Sequence, residues 1–451
     1  MSGGPRVTVI GGGLAGCEAA YHLAVRGVEV ELWEMRPGRS TEAHQTGDLA
    51  ELVCSNSFRN DSQDTAVGVL KSEMRALGSL VLRVADEVAV PAGSALAVDR
   101  CRFASRVTET VEGLDEVAIR RSEAEEIPAE GLVVVATGPL TSQALSRSLS
   151  LLLGRRHLYF YDAISPIITT DSIDMSAAFR AARYGRGGDD YINCPLDRSG
   201  YEALIDAILD ADKVERRSFE RATYFEGCMP IEELARRGRD TLRFGPMKPV
   251  GLKDPTTGRR PYAVVQLRQD DREGRLFNMV GFQTKMTYGE QRRVFRMIPA
   301  LADAEFVRLG SLHRNTYLNS PSVLTRGLAV RGQERVLVAG QLVGVEGYVE
   351  SAATGMLCGI NVARRLQGLG PALPPPATSL GSLLAYVTDP GRRDFQPMNA
   401  NYGLFPALEA SRRLRGREKK RALGERAKLE LAAWMAEAGL GDTQRLCRTL
   451  S

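Results

Sequence analysis

The sequence predicts an α/β fold in which a domain built on a parallel sheet is interrupted by a smaller α+β insertion domain. The chain opens with an apolar β-branched run, a glycine-rich turn and a helical stretch. Two more buried runs, at 132–138 and 336–340, lie far apart in the sequence. The 451 residues exceed what one hydrophobic core usually holds. The segment between these two runs is richer in aromatic residues, prolines and charged turns, which indicates a second domain inserted into the first.

The first elements form a strand–helix–strand unit. Residues 7–10 are apolar and β-branched, which is typical of a buried strand. Residues 17–26 have helical composition, and Gly27 is a suitable residue to end that helix. Residues 28–32 alternate as a strand does. Such a unit opens a parallel sheet.

The turn between the first strand and the helix matches the G-x-G-x-x-G pattern. It consists of Gly11, Gly12, Gly13, Leu14, Ala15 and Gly16. The three glycines of the pattern allow a tight turn, close approach of a pyrophosphate and close packing of helix on strand. Glu34 ends the next strand, where an acid accepts hydrogen bonds from ribose hydroxyls. We therefore predict a dinucleotide site; the alternative is a glycine turn without a ligand.

The late strand favours FAD over NAD as the bound dinucleotide. Residues 338–341 continue through a loop at 345–351 into a helix of small residues, as in many two-part FAD folds. The pair Thr137 and Gly138 resembles a turn of the same superfamily. An ordinary βα turn is the alternative, and NAD(P)H can still enter as a transient reductant. The residues predicted to contact FAD, besides the glycine loop, are Glu34, Arg36, Thr137, Gly138, Gly340, Gln341, Gly347, Tyr348, Glu350 and Ser351.

These elements predict a Rossmann-like FAD-binding domain in two parts. The first part comprises residues 1–150, the insertion domain 151–325, and the returning part 326–451. Residues 373–376 mark a proline-rich linker, and residues 412–438 have helical composition.

The cysteines and the apolar runs exclude several classes of protein. The seven cysteines are scattered, which argues against a disulfide framework, a zinc site and the paired cysteines of flavin disulfide reductases. Each is expected to be a small buried residue unless a motif says otherwise. The sequence has no run of eighteen apolar residues and no export signal, so we expect no membrane span and a cytoplasmic protein.

Ten further segments resemble the folate- and FAD-dependent tRNA (uracil-5-)-methyltransferase family, in order and over nearly the whole chain. They are 34–37, 50–57, 66–71, 73–74, 95–100, 225–232, 244–252, 265–268, 281–284 and 395–399. Cys17 stands where the family pattern suggests a small residue or serine. The related glucose-inhibited division protein A type, which modifies the wobble uridine, is longer at its C-terminus. The same fold could also serve a flavin oxidoreductase for small molecules or a non-catalytic tRNA-binding flavoprotein.

The resemblance implies methylation of the T-loop uridine of tRNA at C5. Methylenetetrahydrofolate would supply the carbon, and reduced FAD, regenerated by NAD(P)H, the electrons. A cysteine thiolate must add to C6 to activate C5, and Cys54 and Cys228 match the family's motifs. We assign Cys228 to uracil and Cys54 to work near the flavin, although the reverse stays open. The remaining cysteines are expected to be structural.

Several polar residues are candidates for supporting roles. Glu226, Glu232 and Glu346 could act as the general base that removes the C5 proton. Lys285 could contact folate or phosphate, or be a surface lysine. His44 and His313 are more polar than the other histidines, but a lone histidine is more often structural, so neither is assigned.

Two groups of basic residues are candidates for contact with tRNA phosphates. Nine basic residues and two acids lie between Arg412 and Lys428, which is either a polyanion site or a solvated helix face. Arg292, Arg293 and Arg296 form the second group. Neither a metal nor a required protein partner is expected.

Overall fold

The computed structural model describes most of the chain. The described residues are 6–41, 43–154, 158–163, 165–185, 188–214, 229–271, 273–310, 312–392, 395–408, 414 and 416–441. The strands are β1 (Val7–Ile10), β2 (Val30–Trp33), β3 (Ser57–Asn60), β4 (Ala89–Val90), β5 (Ala95–Val98), β6 (Val117–Arg120), β7 (Leu132–Val135), β8 (Leu158–Ala163), β9 (Ile167–Thr169), β10 (Phe179–Arg180), β11 (Tyr191–Leu196), β12 (Ala263–Gln269), β13 (Leu276–Met279), β14 (Phe306–Arg308), β15 (Leu312–Tyr317), β16 (Ala329–Val330) and β17 (Gln333–Val338).

Helices cover both sheets and form the C-terminal part of the described chain. They are α1 (Leu14–Ala24), α2 (Ala66–Ala76), α3 (Leu80–Glu87), α4 (Arg100–Glu112), α5 (Gln143–Leu153), α6 (Arg198–Asp210), α7 (Ile231–Arg236), α8 (Thr241–Phe244), α9 (Tyr288–Phe295), α10 (Ser320–Val323), α11 (Tyr348–Leu366), α12 (Ser379–Thr388) and α13 (Gly416–Glu437).

The first sheet has the strand order β16-β17-β7-β1-β2-β6. All its neighbours run parallel except the hairpin of β16 and β17. The strands β1, β7 and β17 are adjacent, so the loops after their carboxyl ends meet at one edge of the sheet. Ligands of open α/β sheets bind at this edge. The predicted parallel sheet is therefore confirmed.

Helices α1 and α11 cross the first sheet in contact with each other. A Cβ atom at Gly355 would lie 2.1 Å from the Ala15 carbonyl oxygen, and one at Gly359 would lie 2.6 Å from that of Ala19. The two backbones therefore touch, with glycine on one helix facing alanine on the other. This crossing fixes the glycine loop that precedes α1 against the late helix.

The second sheet is antiparallel and has the order β10-β11-β12-β13-β9-β14. Its strands all come from residues 167–308, and helices α6, α7 and α9 complete a separate hydrophobic core around Ile192, Leu204, Phe277 and Phe295. A two-stranded ladder of β8 and β15 lies in the chain before and after this sheet. The predicted α+β insertion is confirmed as a fold.

A small three-stranded sheet, β3-β5-β4, was not predicted from the sequence. It directly follows Cys54 and carries Phe58, which is buried. The Phe58 ring lies 5.4 Å from the ring of Phe103 and 5.8 Å from that of Tyr348, centroid to centroid. The small sheet therefore anchors the Cys54 loop between α4 and α11.

A buried carboxyl group joins α2 to α12. Glu73 accepts hydrogen bonds from the backbone N–H groups of Ser379 (2.7 Å) and Leu380 (2.8 Å), the first two residues of α12. Burial raises the pKa of Glu73 to about 8, although both hydrogen bonds oppose that shift. The side chain therefore satisfies two amide groups that a helix start leaves without partners.

Replacing Glu73 is expected to lower the free energy of unfolding. Glu73→Ala leaves two buried donors unsatisfied, a cost of roughly 2–3 kcal/mol, and Glu73→Gln loses one acceptor. Between an unfolded pKa of 4.5 and about 8 the folded state holds the extra proton, so the contribution of this group decreases as pH rises. Urea denaturation at several pH values from 5 to 9 measures how the free energy of unfolding depends on pH. A plot of this free energy against pH should be flatter for Glu73→Gln than for wild type, but not for the exposed control Glu430→Gln. An unchanged slope of this plot in Glu73→Gln contradicts the assignment.

Candidate functional site

A cavity lies at the carboxyl edge of the first sheet. Five of the residues predicted to bind FAD line it: Gly11, Gly13, Glu34, Arg36 and Thr137. Gly138 follows Thr137 in a left-handed turn, with φ +64°. The structure thus brings together the glycine loop, the acid after β2 and the turn after β7.

The glycines of the loop occupy positions that larger residues cannot. Gly11 has φ +103°, and a Cβ there would lie 2.7 Å from the Thr137 Cα. A Cβ at Gly16 would lie 1.7 Å from the Gly11 carbonyl oxygen. Gly13 immediately precedes α1, and a Cβ at Gly13 would have no atom of another part of the chain within 4 Å. The open face at Gly13 and the start of α1 suit a pyrophosphate.

The acid of the cavity is held in its ionised form. Glu34 accepts hydrogen bonds from the Gly12 N–H (2.8 Å) and from the Arg36 N–H (3.0 Å) and Nε (2.9 Å). Burial raises the pKa of Glu34, but these hydrogen bonds and the Arg36 charge outweigh it, so the pKa is lowered. Arg36 also pairs with Glu51 at 3.2 Å. A charged acceptor on the cavity wall fits the ribose hydroxyls of a dinucleotide.

Six other residues predicted to bind FAD do not line this cavity and lie between the end of β17 and the first turn of α11. Gly340, with φ +76°, donates its N–H to the Thr354 hydroxyl at 2.8 Å. Gly347, with φ +116°, immediately precedes α11. Gln341 lies half-buried in the turn after β17, and Leu14 and Ala15 are buried in the first turn of α1.

Glu350 and Ser351 lie in the first turn of α11. Glu350 is fully buried, forms an ion pair with Arg59 and accepts the Ala400 N–H at 2.9 Å. Its second carboxylate oxygen has no hydrogen-bond partner among the described residues. Buried polar atoms normally have partners, so this oxygen and the helix start fit a polar ligand group. Ser351 donates its N–H to the Gly347 carbonyl.

Tyr348 contacts Cys54 directly. Its hydroxyl lies 2.9 Å from the Cys54 Sγ and accepts the backbone N–H groups of Cys54 (2.9 Å) and Ser55 (3.1 Å). Burial, and then the nearby Cys54, raises the pKa of Tyr348 well above its usual value. The hydroxyl therefore stays protonated and fixes the Cys54 loop on the start of α11.

Replacing Tyr348 with phenylalanine is expected to slow the reaction at this site. The change removes the acceptor of two backbone N–H groups and the partner of the thiol, while the ring keeps its packing. A misplacement of about 1 Å at a reacting group costs on the order of 10²-fold in rate. Single-turnover rates and flavin absorbance measure the effect. The exposed Tyr288→Phe is the control, and an unchanged rate in Tyr348→Phe contradicts this role.

Arginine side chains from three parts of the chain interact electrostatically with Cys54. Arg100 pairs with Asp270 at 2.9 Å, and this pair raises the pKa of Arg100 although burial lowers it. Arg268 and Arg308 are also largely buried, which lowers their pKa values. The charge of Cys54 acts on all three arginines. Positive surroundings of this kind stabilise a thiolate.

Strand β12 of the insertion reaches the loop that carries Cys54. Arg268 donates from a terminal nitrogen to the Ser55 hydroxyl at 2.7 Å and from Nε to the Asn56 side-chain oxygen at 3.1 Å. The Asn56 amide in turn donates to the Gln269 carbonyl at 2.8 Å. Arg268 belongs to a segment that carries the family resemblance, but its motif predicted no role for it.

The second predicted catalytic cysteine, Cys228, and the candidate base Glu226 lie outside the described residues. Glu232 is buried and accepts the N–H groups of Lys285 (3.3 Å) and Met286 (3.2 Å). Burial raises its pKa. Lys285 is buried and pairs with Glu233, so the interpretation as a surface lysine is wrong.

Other candidates differ in their surroundings. Glu346 is half-buried. His44 lines the cavity, where burial lowers its pKa to about 4; the side chain of His313 lies outside the described part of the chain. Cys101 is exposed, against expectation, because it lies on the outer face of α4. The cysteines that are buried as expected are Cys17, Cys194 and Cys358, while Cys447 lies outside the described residues.

Many of the arginines predicted to contact tRNA are engaged within the chain. Arg417 and Arg421 pair with Asp64, at 2.6 Å and 3.4 Å. Arg426 donates to two backbone carbonyls. On α9, Arg293 pairs with Glu290, Arg296 donates to the Ala304 carbonyl at 3.1 Å, and Arg292 reaches the Tyr288 carbonyl at 3.5 Å. Arg412, Arg413 and Arg415 lie outside the described residues.

The described part of the chain lacks two kinds of feature. No helix there combines the length and apolar composition needed to cross a membrane. No group of histidine, cysteine and acidic side chains there could hold a metal ion.

The parallel sheet, the glycine loop with its charged acid and the second helix start define a flavoprotein of the two-part dinucleotide-binding class. Residues 6–370 match the family model described as glucose inhibited division protein A. Two solved structures of Aquifex aeolicus GidA superpose with TM-scores of 0.71 and 0.70 at 18% and 17% identity. They cover 99% of this chain and 78% and 76% of the GidA chains, and they show the fold.

Curated relatives identify the family within that class. A protein of Geobacter sulfurreducens named methylenetetrahydrofolate–tRNA-(uracil-5-)-methyltransferase TrmFO is 58% identical, covering 95% of this chain and 99% of its own length. Proteins of the same name from Moorella thermoacetica (57%, covering 94% and 96%) and Desulforudis audaxviator (54%, covering 98% and 100%) match equally broadly. The chain belongs to the methylenetetrahydrofolate–tRNA-(uracil-5-)-methyltransferase family, so the resemblance noted from the motifs is confirmed.

Proposed function

We propose that this enzyme methylates C5 of a uridine in the T-loop of tRNA, forming 5-methyluridine with carbon from methylenetetrahydrofolate. Relatives that bear this activity in their names are 53–58% identical over nearly the whole chain. The observation that carries the proposal within the structure is Cys54. Its sulfur lies 2.9 Å from the Tyr348 hydroxyl at the start of α11, and Arg100, Arg268 and Arg308 contribute positive charge to its surroundings.

The chemistry also requires a cysteine thiolate that attacks uracil, the role assigned to Cys228, because C5 of uracil is a poor nucleophile. Addition of sulfur at C6 places negative charge on C5, which then bonds the folate methylene carbon. A base removes the C5 proton and tetrahydrofolate leaves, which gives an exocyclic methylene at C5. Addition of a hydride to that carbon forms the methyl group, expels the sulfur from C6 and restores the ring. Converting a methylene to a methyl group takes two electrons, which bound FAD supplies after reduction by NAD(P)H.

The residues around the cavity and the start of α11 would hold FAD. Gly11, Gly13 and the start of α1 suit the pyrophosphate, and Glu34 suits the ribose. The start of α11, after Gly347, offers positive potential to the far end of the cofactor. We expect methylenetetrahydrofolate to enter on the Cys54 side of this site.

The two cysteines divide the work in this proposal. Cys54 contacts Tyr348 at the start of α11, which supports its place near the flavin and the one-carbon unit. Cys228 would then attack uracil. Glu226, Glu232 and Glu346 remain candidates for the base.

The elbow of the tRNA must unfold locally before the target uridine can reach the site. The T-loop uridine is stacked inside the tRNA elbow and has to leave the stack to meet a thiol. We assign residues 151–325 to the tRNA side, because β12 of that segment contacts the Cys54 loop. A tRNA substrate also implies action in the cytoplasm.

An isotope experiment tests this function. Purified protein receives undermodified tRNA, NADPH and methylenetetrahydrofolate labelled in the methylene carbon, and a parallel reaction receives labelled S-adenosylmethionine in place of the folate. Nucleosides are then analysed by mass spectrometry. We expect label in 5-methyluridine with folate alone. No label in either reaction, from protein that contains flavin, overturns the proposal and favours the small-molecule oxidoreductase.

A further inference from the structure

Two exposed rings lie on the insertion domain, whose strand β12 contacts the Cys54 loop. Tyr184 is 59% exposed and Phe244 is 80% exposed. Val250, in the loop after α8, is 37% exposed. Large apolar side chains this exposed on one domain call for an explanation. We call residues 184 and 244–260 the platform.

The backbone holds Tyr184 in place. Tyr184 has φ +60°, a left-handed conformation uncommon for a residue with a large side chain. Its N–H donates to the Gly251 carbonyl at 2.9 Å, and a Cβ at Gly251 would lie 3.0 Å from the tyrosine ring. One side of the ring therefore lies on a glycine while much of the ring faces solvent. Strained positions of this kind concentrate at functional sites.

A hydrogen-bond chain connects the platform to the Cys54 loop. Arg183, next to Tyr184, donates to the Lys248 carbonyl and to Gln266 Oε1, the latter at 2.8 Å. Gln266 and Arg268 alternate along β12 and therefore lie on one face, about 7 Å apart along the strand. Because Arg268 reaches the Ser55 hydroxyl, the Arg183 side chain beside the platform and the Cys54 loop contact the same face of β12.

The platform carries positive charge. Residues 244–260 contain Lys248, Lys253, Arg259 and Arg260 against the single acid Asp254, a net charge of 4 − 1 = +3. None of these four cations forms an ion pair with another residue that the structure describes. Asp254 instead accepts the Thr256 N–H at 2.8 Å, which shapes the turn. The arginines of α9 and α13, in contrast, are largely engaged.

Exposed rings beside available cations match the chemistry of single-stranded RNA. Bases stack on aromatic side chains while cations contact the phosphates. We propose that the platform binds unstacked nucleotides next to the target uridine, with a base stacked on Tyr184 or Phe244. This inference rests on the proposed function. A folate would also stack, but small-molecule sites enclose most of their ligand, and these rings are largely open.

Variants of the exposed rings test the platform. Tyr184→Gly removes the ring and suits the left-handed backbone, so the fold is retained. We expect Tyr184→Gly and Phe244→Ala each to weaken binding of unmodified tRNA roughly 5- to 100-fold in fluorescence anisotropy. Tyr184→Phe should stay within about twofold, because a phenyl ring also stacks. The control Tyr288→Ala removes an equally exposed ring (59%) from α9 and should bind as wild type.

Two further readouts separate this inference from a folate site and from a failure of the proposed function. Lys253→Gln combined with Arg259→Gln and Arg260→Gln should reduce the slope of log K against log salt by about 2. Unchanged tRNA affinity in both ring variants, or a loss confined to the KM for folate, overturns the platform while wild-type methylation continues. If wild-type enzyme transfers no carbon yet the ring variants lose tRNA affinity, the proposed function fails and the platform stands.

Discussion

Cys54→Ala is expected to abolish formation of 5-methyluridine while the protein keeps its flavin. In the proposed function this thiol, held by the Tyr348 hydroxyl at 2.9 Å, works near the flavin and the one-carbon unit. Loss of a covalent catalyst lowers rates by on the order of 10⁴-fold or more. Single-turnover transfer of labelled carbon from folate to tRNA measures the effect, and visible absorbance reports the flavin.

Matched variants sharpen this test. Cys101→Ala removes an exposed thiol from α4 and should leave the rate unchanged. Cys54→Ser keeps the shape of the side chain but provides a much weaker nucleophile, so it should be nearly as slow as Cys54→Ala. A Cys54→Ala protein that methylates within tenfold of wild type would falsify the catalytic role.

A trapping experiment separates Cys54 from Cys228. Fluorine at C5 of the target uridine makes C6 more electrophilic, and protonation of C5 after the attack leaves the thiol bonded to the RNA. We expect a denaturation-resistant complex with Cys54→Ala and none with Cys228→Ala. The opposite pattern would reverse the assigned roles.

Gly355→Val is expected to give the largest loss of stability. The new side chain would meet the Ala15 carbonyl oxygen and Cα, 2.1 Å and 2.5 Å from its first carbon. Both neighbours are backbone atoms of α1, so the helices must separate and the glycine loop must move with them. We expect the free energy of unfolding to fall by about 3 kcal/mol or more, with loss of bound flavin.

The control for this change is another glycine in a helix. Gly289 lies in α9, and nothing lies within 4 Å of the position of a Cβ there. Gly289→Ala should therefore be neutral or stabilise the protein by up to about 1 kcal/mol. Denaturant titrations measure the free energy of unfolding of both variants, and visible absorbance measures their flavin content. Normal flavin content and stability in Gly355→Val would show that the two helices can separate without cost.

The sequence predicts those parts of the fold that local patterns determine. The first strand, predicted at 7–10, is observed as Val7–Ile10, and the run at 132–138 contains β7. The helix predicted at 412–438 is described as α13. Buried parallel strands and glycine turns leave clear local signals. The antiparallel sheet of the insertion does not, because its partners, such as β9 and β14, are far apart in sequence.

The candidate site shows the same limit. The glycine loop and Glu34 could be identified because their spacing along the chain sets their geometry. The contact of Cys54 with Tyr348 joins residues 294 positions apart, and that of Arg268 with Ser55 joins residues 213 apart. The spacing of residues along the sequence does not reveal contacts between residues so far apart. The motifs marked these segments as important, but only the fold shows which residues meet.

The bonds from β12 to the Cys54 loop also limit how the two domains can shift. Arg268 and Asn56 join them through hydrogen bonds of 2.7–3.1 Å. A displacement of about 1 Å would break these bonds, since they weaken steeply beyond roughly 3.2 Å. The hydrogen bonds therefore hold the insertion domain in a fixed position relative to the Cys54 loop. An RNA bound by the insertion would therefore be held at a fixed distance from the Cys54 loop, so that docking of the substrate would also align it with the flavin side of the site.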